Sequence, residues 1–325
     1  MLRKNISNPT VDLHCHLRGA MLPSLALKLA KESDIKLPPN LGLYGYKFTG
    51  FDEFLSLYDQ IGRVVQTASS LKEIAYAYLC YVSVNGTKYV EFMISPTHSM
   101  ANGVPFSAQI AAISEAIEQA KSECNVTGCI IITCVRHRGP EDALETAKMA
   151  TELKNCHIRG FGLTGNEREY DIEVFKEAFL IAGSFGLGLT AHAGEWLPAK
   201  TVLRAVNQLN LARVGHGISV TSDQDILAEM AERNIGFEIC LSSNVQLGAS
   251  ESYATHPVRK MIDAGCRITF STDDPAYFNT TPAQEMCFAI QHLKLTEEEQ
   301  RKTFDDSVEM AFCCEKTKAF IRDQT

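Results

Sequence analysis

Residues 186–274 carry four short apolar runs: GLGLTAHAG (186–194), ARVGHG (212–217), IGFEICLSS (235–243) and CRITFSTDD (266–274). Short runs of nearly continuous apolar character, rich in Val, Ile, Phe and Thr, read as buried parallel strands. The same signature recurs upstream in TVDLHCH (10–16), KYVEFMISP (88–96), GCIIITCVRH (128–137) and IRGFGLTG (158–165). Helical spacing fills the gaps, in SLKEIAYAYLCYVSVNG (70–86), FSAQIAAISEAIEQAKSE (106–123), PEDALETAKMATELK (140–154), DIEVFKEAFLIAGSFG (171–186), DQDILAEMAERNIG (223–236) and HPVRKMIDAG (256–265). Eight strands alternating with helices predict an α/β fold, a TIM (β/α)8 barrel; a doubly wound open sheet is the alternative. The stretch 17–75 is too long for one βα unit. Within it, LPSLALKLAKES (22–33) and FDEFLSLYDQIGRVVQ (51–66) read as extra helices inserted after strand 1.

Composition narrows the function classes. Of 325 residues, 45% are apolar and 22% charged, which excludes a mostly disordered chain. Lys plus Arg is 31 against 39 Asp plus Glu, a net charge of −8, so no overall basic footprint for nucleic acid exists. A small neutral or compact substrate is expected instead of a polyanion. No apolar run approaches the ~18 residues of a membrane helix, so no membrane partner is expected. The start, MLRKNISNPT, lacks the apolar centre of a signal peptide, which points to the cytoplasm. The 11 cysteines are odd in number and form no CxxC, and most sit among apolar residues. Reduced, mostly buried thiols are expected rather than a disulfide framework.

Polar residues gather at the C-terminal ends of the predicted strands, where a barrel presents its reactive groups. His14 and His16 end the first, and at i and i+2 they point to the same side of a strand. Alone, such a pair is equally two polar residues at a strand end. His192 ends the fifth strand and Asp273 the eighth, and three His with one Asp make a set suited to Zn²⁺. Glu195, three residues after His192, is either a carboxylate at a helix start or an acid that moves a proton beside the metal. His216, flanked by Gly215 and Gly217, is a core histidine or a group that steers hydroxide. Asp274 is a helix cap before Pro275 or a substrate contact.

VDLHCHLRGAMLP, FDEFLSLYD, YVEFMISP, GLTGNE, AHAGE, RVGHG, EICLSSN, HPVRKMIDAG and STDDP follow one another from Val11 to about Phe278. In this order they resemble the adenosine deaminase family of zinc amidohydrolases. The resemblance implies one deaminase-like domain over residues 1–325, with one zinc ion held by His14, His16, His192 and Asp273. Two-metal relatives use a carboxylated lysine, and GFGLTGNE offers none. It further implies that Glu195 donates a proton to purine N1 and that His216 orients the attacking hydroxide. Asp274 would accept a hydrogen bond at N7, and the backbone of Gly165 would contact N3. The implied reaction adds hydroxide to C6 of an aminopurine nucleoside, adenosine-like, with loss of ammonia. Arg18 departs from the pattern, because adenosine enzymes of the family place an acid there for the ribose hydroxyls. A guanidinium pairs with phosphate or carboxylate. Arg18 therefore suggests a purine nucleoside with an anionic 5′ group, such as AMP or an N6-substituted AMP. The free aminopurine base is the other candidate.

Overall fold

The computed structural model describes residues 9–39, 41–42 and 45–323. Eight strands run β1 Thr10–His16, β2 Thr87–Ile94, β3 Thr127–Val135, β4 Ile158–Thr164, β5 Gly188–Ala193, β6 Arg213–His216, β7 Gly236–Ile239 and β8 Arg267–Phe270. They pair in sequence order, and every adjacent pair is parallel. After β8 the chain returns to β1. His16 N–H donates to Asp273 O and Asp273 N–H to His14 O, both at 2.8 Å. Asp12 reinforces this closure by accepting from the Thr272 hydroxyl at 2.7 Å and from Tyr78 OH at 3.0 Å. The barrel expectation holds, and the open sheet is excluded by the β1–β8 contact.

The helices are α1 Pro23–Glu32, α2 Gly50–Gly62, α3 Ala68–Ser83, α4 Pro96–Met100, α5 Phe106–Cys124, α6 Gly139–Glu152, α7 Lys176–Ser184 and α8 Ala199–Leu209. They continue as α9 Gln224–Glu232, α10 Leu241–Leu247, α11 Val258–Asp263, α12 Pro275–Phe278, α13 Pro282–Leu293, α14 Glu297–Met310 and α15 Glu315–Arg322. The inserted α1 and α2 are the two predicted after strand 1. A main core of Leu, Ile, Val, Ala and Phe lies between barrel and helices. A second cluster, with Val11, Leu13, Tyr89 and Ile131 from the first strands and Phe304, Val308 and Met310 from α14, packs one end of the barrel against the C-terminal helices.

Two expectations are corrected. The seventh strand does not extend through Ser243. Beyond Ile239 the chain turns into α10, which Gly248 ends at φ 84°. Ser242, Ser243 and Asn244 therefore sit on a short buried helix. The cysteines are not all reduced thiols: Cys80 and Cys124 form a disulfide. Side-by-side packing of α3 and α5 brings their Cα atoms to 5.4 Å across 44 residues of sequence, a pairing no local pattern reveals. The other nine cysteines are free, and five of these are buried. Among the described residues, no helix is long and apolar enough to cross a membrane.

Candidate metal and active site

His14 and His16 are the alternate residues at the end of β1, His192 belongs to β5, and Asp273 follows β8. One ligand atom from each lies within 4.8 Å of the others. His192 Nε2 is 3.0 Å from His14 Nε2 and 3.3 Å from His16 Nε2, and Asp273 Oδ1 is 3.4 and 3.3 Å from the same two atoms. Ligand atoms on a tetrahedral zinc, at 2.0–2.1 Å from it, stand about 3.3 Å apart.

The protonation pattern also asks for a cation. His192 Nδ1 faces the Leu163 carbonyl at 2.9 Å, and His14 Nδ1 faces Glu238 Oε2 at 2.7 Å. Both partners only accept, so both Nδ1 atoms carry the proton. With neutral rings two Nε2 lone pairs would face each other, so a proton or a metal cation must stand between them. Burial opposes charge on His14, yet Asp273 and Glu238 push its imidazole up to about 10. Positive charge belongs at this point, and the donor set suits zinc. Asp273 Oδ2 accepts from Ser243 Oγ at 2.6 Å, which orients the carboxylate. Arg136, 1% exposed, donates to the His192 carbonyl at 3.0 Å. It holds the backbone of His192 in place.

Glu195 and His216 stand beside the cluster. Asn244 Nδ2 lies 3.1 Å from Glu195 Oε1 and 3.1 Å from His216 Nδ1. Burial, reinforced by the Asp273 and Glu167 carboxylates, pushes the Glu195 carboxyl up to about 8. Burial moves His216 down to about 4, so at neutral pH the acid is protonated and the imidazole neutral. His216 and Asp273 both have positive φ, 60° and 62°. Non-glycine residues held there are uncommon and cluster at functional sites. Burial and the Asp273 charge hold the Asp274 carboxyl well above its usual range, and its buried Oδ1 has no hydrogen-bond partner. The glycine of HLRG is explained here, because a Cβ on Gly19 would overlap the Asp274 carboxylate.

A cavity of about 120 Å³ opens on the cluster. It is bordered by His16, His192, Glu195, His216, Asp273 and Asp274, by Gly165, Thr164, Val135, Ser95, His98 and His137, and by Phe51, Phe54, Leu55 and Tyr58 of α2. All four members of that helical stripe therefore wall the cavity. Trp196 supports the wall from behind, with its ring centroid 5.4 Å from that of Phe51. Gly165 takes φ 94°, and a Cβ there would press to 3.2 Å on Val135 and His137.

Arg18 is not on this wall. Its guanidinium packs against Gly62 and lies 5.4 Å from the Tyr58 ring centre. It lines a side chamber of about 20 Å³ that shares His16, Tyr58, Ser95 and His98 with the main cavity. Its Nε is buried without a hydrogen-bond partner.

Sequence reasoning missed Glu167, although GLTGNE contains it. Its carboxylate accepts backbone N–H groups from four successive residues: Gly194, Glu195 at 3.1 Å, Trp196 at 2.8 Å and Leu197 at 3.3 Å. Such a bound carboxylate fixes the loop carrying Glu195. Glu167→Gln replaces one acceptor oxygen with a donor that faces N–H groups. The expected result is a stability loss of about 1–3 kcal/mol in denaturant unfolding, together with reduced turnover. Unchanged unfolding and rate would remove this role.

A parallel β/α barrel with three imidazoles and a carboxylate converging where its strands end defines a metal-dependent hydrolase. The chain belongs to the adenosine deaminase family, whose model, described as Adenosine deaminase, matches residues 9–325. It is 32% identical over 307 residues to the adenine deaminase of Rhizobium meliloti (strain 1021), covering 94% of this chain and 95% of that protein. Among solved structures it is similar to the adenine deaminase of Arthrobacter aurescens, with a TM-score of 0.90, 26% identity and 98% of each chain covered. A zinc-bound amidohydrolase of Burkhoderia ambifaria shares the fold, with a TM-score of 0.88, 24% identity and coverage of 99% of this chain and 93% of that one.

Proposed function

We propose that the protein is a hydrolytic deaminase of aminopurines and that its substrate is the free base, converted with water to the 6-oxopurine and ammonia. The observation that carries the choice of base is the cavity. At about 120 Å³ it falls well short of the ~300 Å³ at which pockets for drug-sized ligands begin. The adenine deaminases among its relatives support the same choice.

Zinc bound by His14, His16, His192 and Asp273 would lower the pKa of water at its open position towards ~7. The remaining work falls to the chain. Glu195, protonated at neutral pH, gives its proton to N1, and the ring accepts addition at C6 as it loses aromaticity. His216 holds the attacking oxygen by a hydrogen bond. Asp274, kept protonated, donates to the N7 lone pair instead of accepting there, a change from the sequence-based role. The Gly165 backbone N–H serves N3. These groups gain strength as charge develops in the transition state, so they raise the rate as well as bind.

One observation favours a second substrate: Arg18, whose buried Nε lacks a hydrogen-bond partner, lies beside Tyr58 and His98 and would suit an anionic 5′ group. Ammonia release on adenine, adenosine, AMP and N6-methyl-AMP separates the two. The expected result is adenine preferred in kcat/KM by at least about 10-fold, with Arg18→Ala leaving the ratio of adenine to AMP within about 3-fold; 10-fold corresponds to ~1.4 kcal/mol of discrimination. A preference for AMP that collapses in Arg18→Ala would overturn the base reading.

A further inference from the structure

His256 lies 40 residues beyond His216 and touches neither the cavity nor the metal cluster, yet it heads a buried hydrogen-bond chain that ends on both Glu195 and His216. The Val258 backbone N–H points at His256 Nδ1 at 3.2 Å. A backbone N–H only donates, so Nδ1 accepts and the ring proton sits on Nε2. His256 is 2% exposed, and burial with the nearby His216 moves it down to about 3, which keeps it neutral. His256 Nε2 faces Asn244 at 3.2 Å, so the atom it meets there is the amide oxygen. The two hydrogens of the Asn244 amide are thereby committed to the other side. One meets Glu195 Oε1 and the other His216 Nδ1, each at 3.1 Å. His216 Nδ1 must accept, and a proton placed on it would face another N–H.

We propose that His256 is a positioning residue: through Asn244 it fixes His216 as the neutral tautomer with its proton on Nε2. His216 then serves the attacking oxygen as a hydrogen-bond donor and takes no proton from it. The proton exchanged with the purine is left to Glu195, which the same amide holds. This deepens the deaminase reading of the site and rests on it for the word catalysis, but the tautomer itself does not depend on the substrate.

The test uses zinc-loaded protein labelled with ¹⁵N-histidine, with long-range ¹H–¹⁵N spectra to identify which ring nitrogen of His216 carries the proton. Two variants accompany the wild type. His256→Gln retains a donor towards Asn244, and His256→Met does not. The expected result is Nε2–H on His216 in wild type and His256→Gln, with kcat of the latter within about 3-fold. In His256→Met, mixed tautomers should appear and kcat should fall about 10- to 100-fold at nearly constant KM. Nδ1–H on His216 in the wild type overturns the proposal even if no variant folds. So does a single Nε2–H species with full kcat in His256→Met. If adenine is not turned over while wild-type His216 shows Nε2–H, the failure belongs to the substrate reading.

Discussion

Glu195→Gln should retain zinc and bind the base while turnover falls about 10²- to 10⁴-fold, the usual weight of a positioned proton donor. Gln preserves the shape and can still accept from Asn244 at the place where Glu195 Oε1 now lies, 3.1 Å away. What it lacks is the transferable proton. The wild-type pH profile should carry the same signature. Glu195 is pushed up to about 8, so the acid form needed for N1 is depleted above that pH and the rate falls on the alkaline side. Glu195→Gln should show no such limb. The variant also has a consequence for folding. The folded pKa lies above the ordinary 4.5, so between these values the folded state binds more protons than the unfolded state. Stability contributed by this group is fully present below about 4.5 and is lost as pH rises through about 8. Glutamine carries no charge to bury. Metal-free Glu195→Gln should therefore melt above metal-free wild type at pH 9 and close to it at pH 4.5. Near-wild-type turnover in zinc-replete Glu195→Gln would remove Glu195 from the chemistry, whatever the melting data show.

The parts of this site that were legible in the sequence are those set by local geometry. His14 and His16 share a face because strand residues alternate, and strand ends collect His192, His216 and Asp273 because a parallel barrel places all its C-termini together. The helix read over 51–66 from its apolar spacing is present as Gly50–Gly62, though the use of all four residues Phe51, Phe54, Leu55 and Tyr58 as cavity wall was not legible. The supporting residues were not legible, because each meets its partner across long stretches of chain. Glu238 bonds His14 over 224 residues, and Glu167 caps a loop 27 to 30 residues away. Asn244 was visible at the end of a supposed strand. Its role depends on α10, a helix that propensity did not reveal within EICLSSN. His256 looked like part of a helix start, and only its contact with Asn244 gives it another meaning. The C-terminal helices carry no motif, yet the Thr296–Glu299 capping box of α14 follows a recognisable local pattern and marks its start. Arg18 shows the opposite limit. Its identity was informative, but its direction was decided by the space beside Gly62 and Tyr58.

Asp273→Asn should lose zinc while keeping the barrel, and the choice of Asn over Ala is what makes the experiment decisive. Asp273 has φ 62°, a left-handed conformation that Asn tolerates better than most residues, whereas Ala would add backbone strain of about 1–2 kcal/mol. Asn also preserves an acceptor for the Ser243 hydroxyl, now 2.6 Å from Oδ2, and leaves the backbone bonds between residue 273 and β1 untouched. Volume, cap and closure of the barrel are thus held constant, and only the negative charge is removed. That charge compensates the positive charge demanded by three converging imidazoles, two of which bring their Nε2 atoms to 3.0 Å from each other. Without it, zinc affinity should fall by about 10²-fold or more, since the loss of an outer partner alone typically costs 10- to 100-fold. Elemental analysis after dialysis against a mild chelator should give stoichiometric zinc for the wild type and substoichiometric zinc for Asp273→Asn, with circular dichroism unchanged. Turnover should fall in proportion to occupancy at low zinc and recover in part when zinc is added. Full zinc retention by Asp273→Asn would place the metal's anionic ligand elsewhere. The only other carboxylate bonded to a ring nitrogen of the three histidines among the described residues is Glu238, and its bond is to Nδ1 of His14, on the far side of the ring from the cluster.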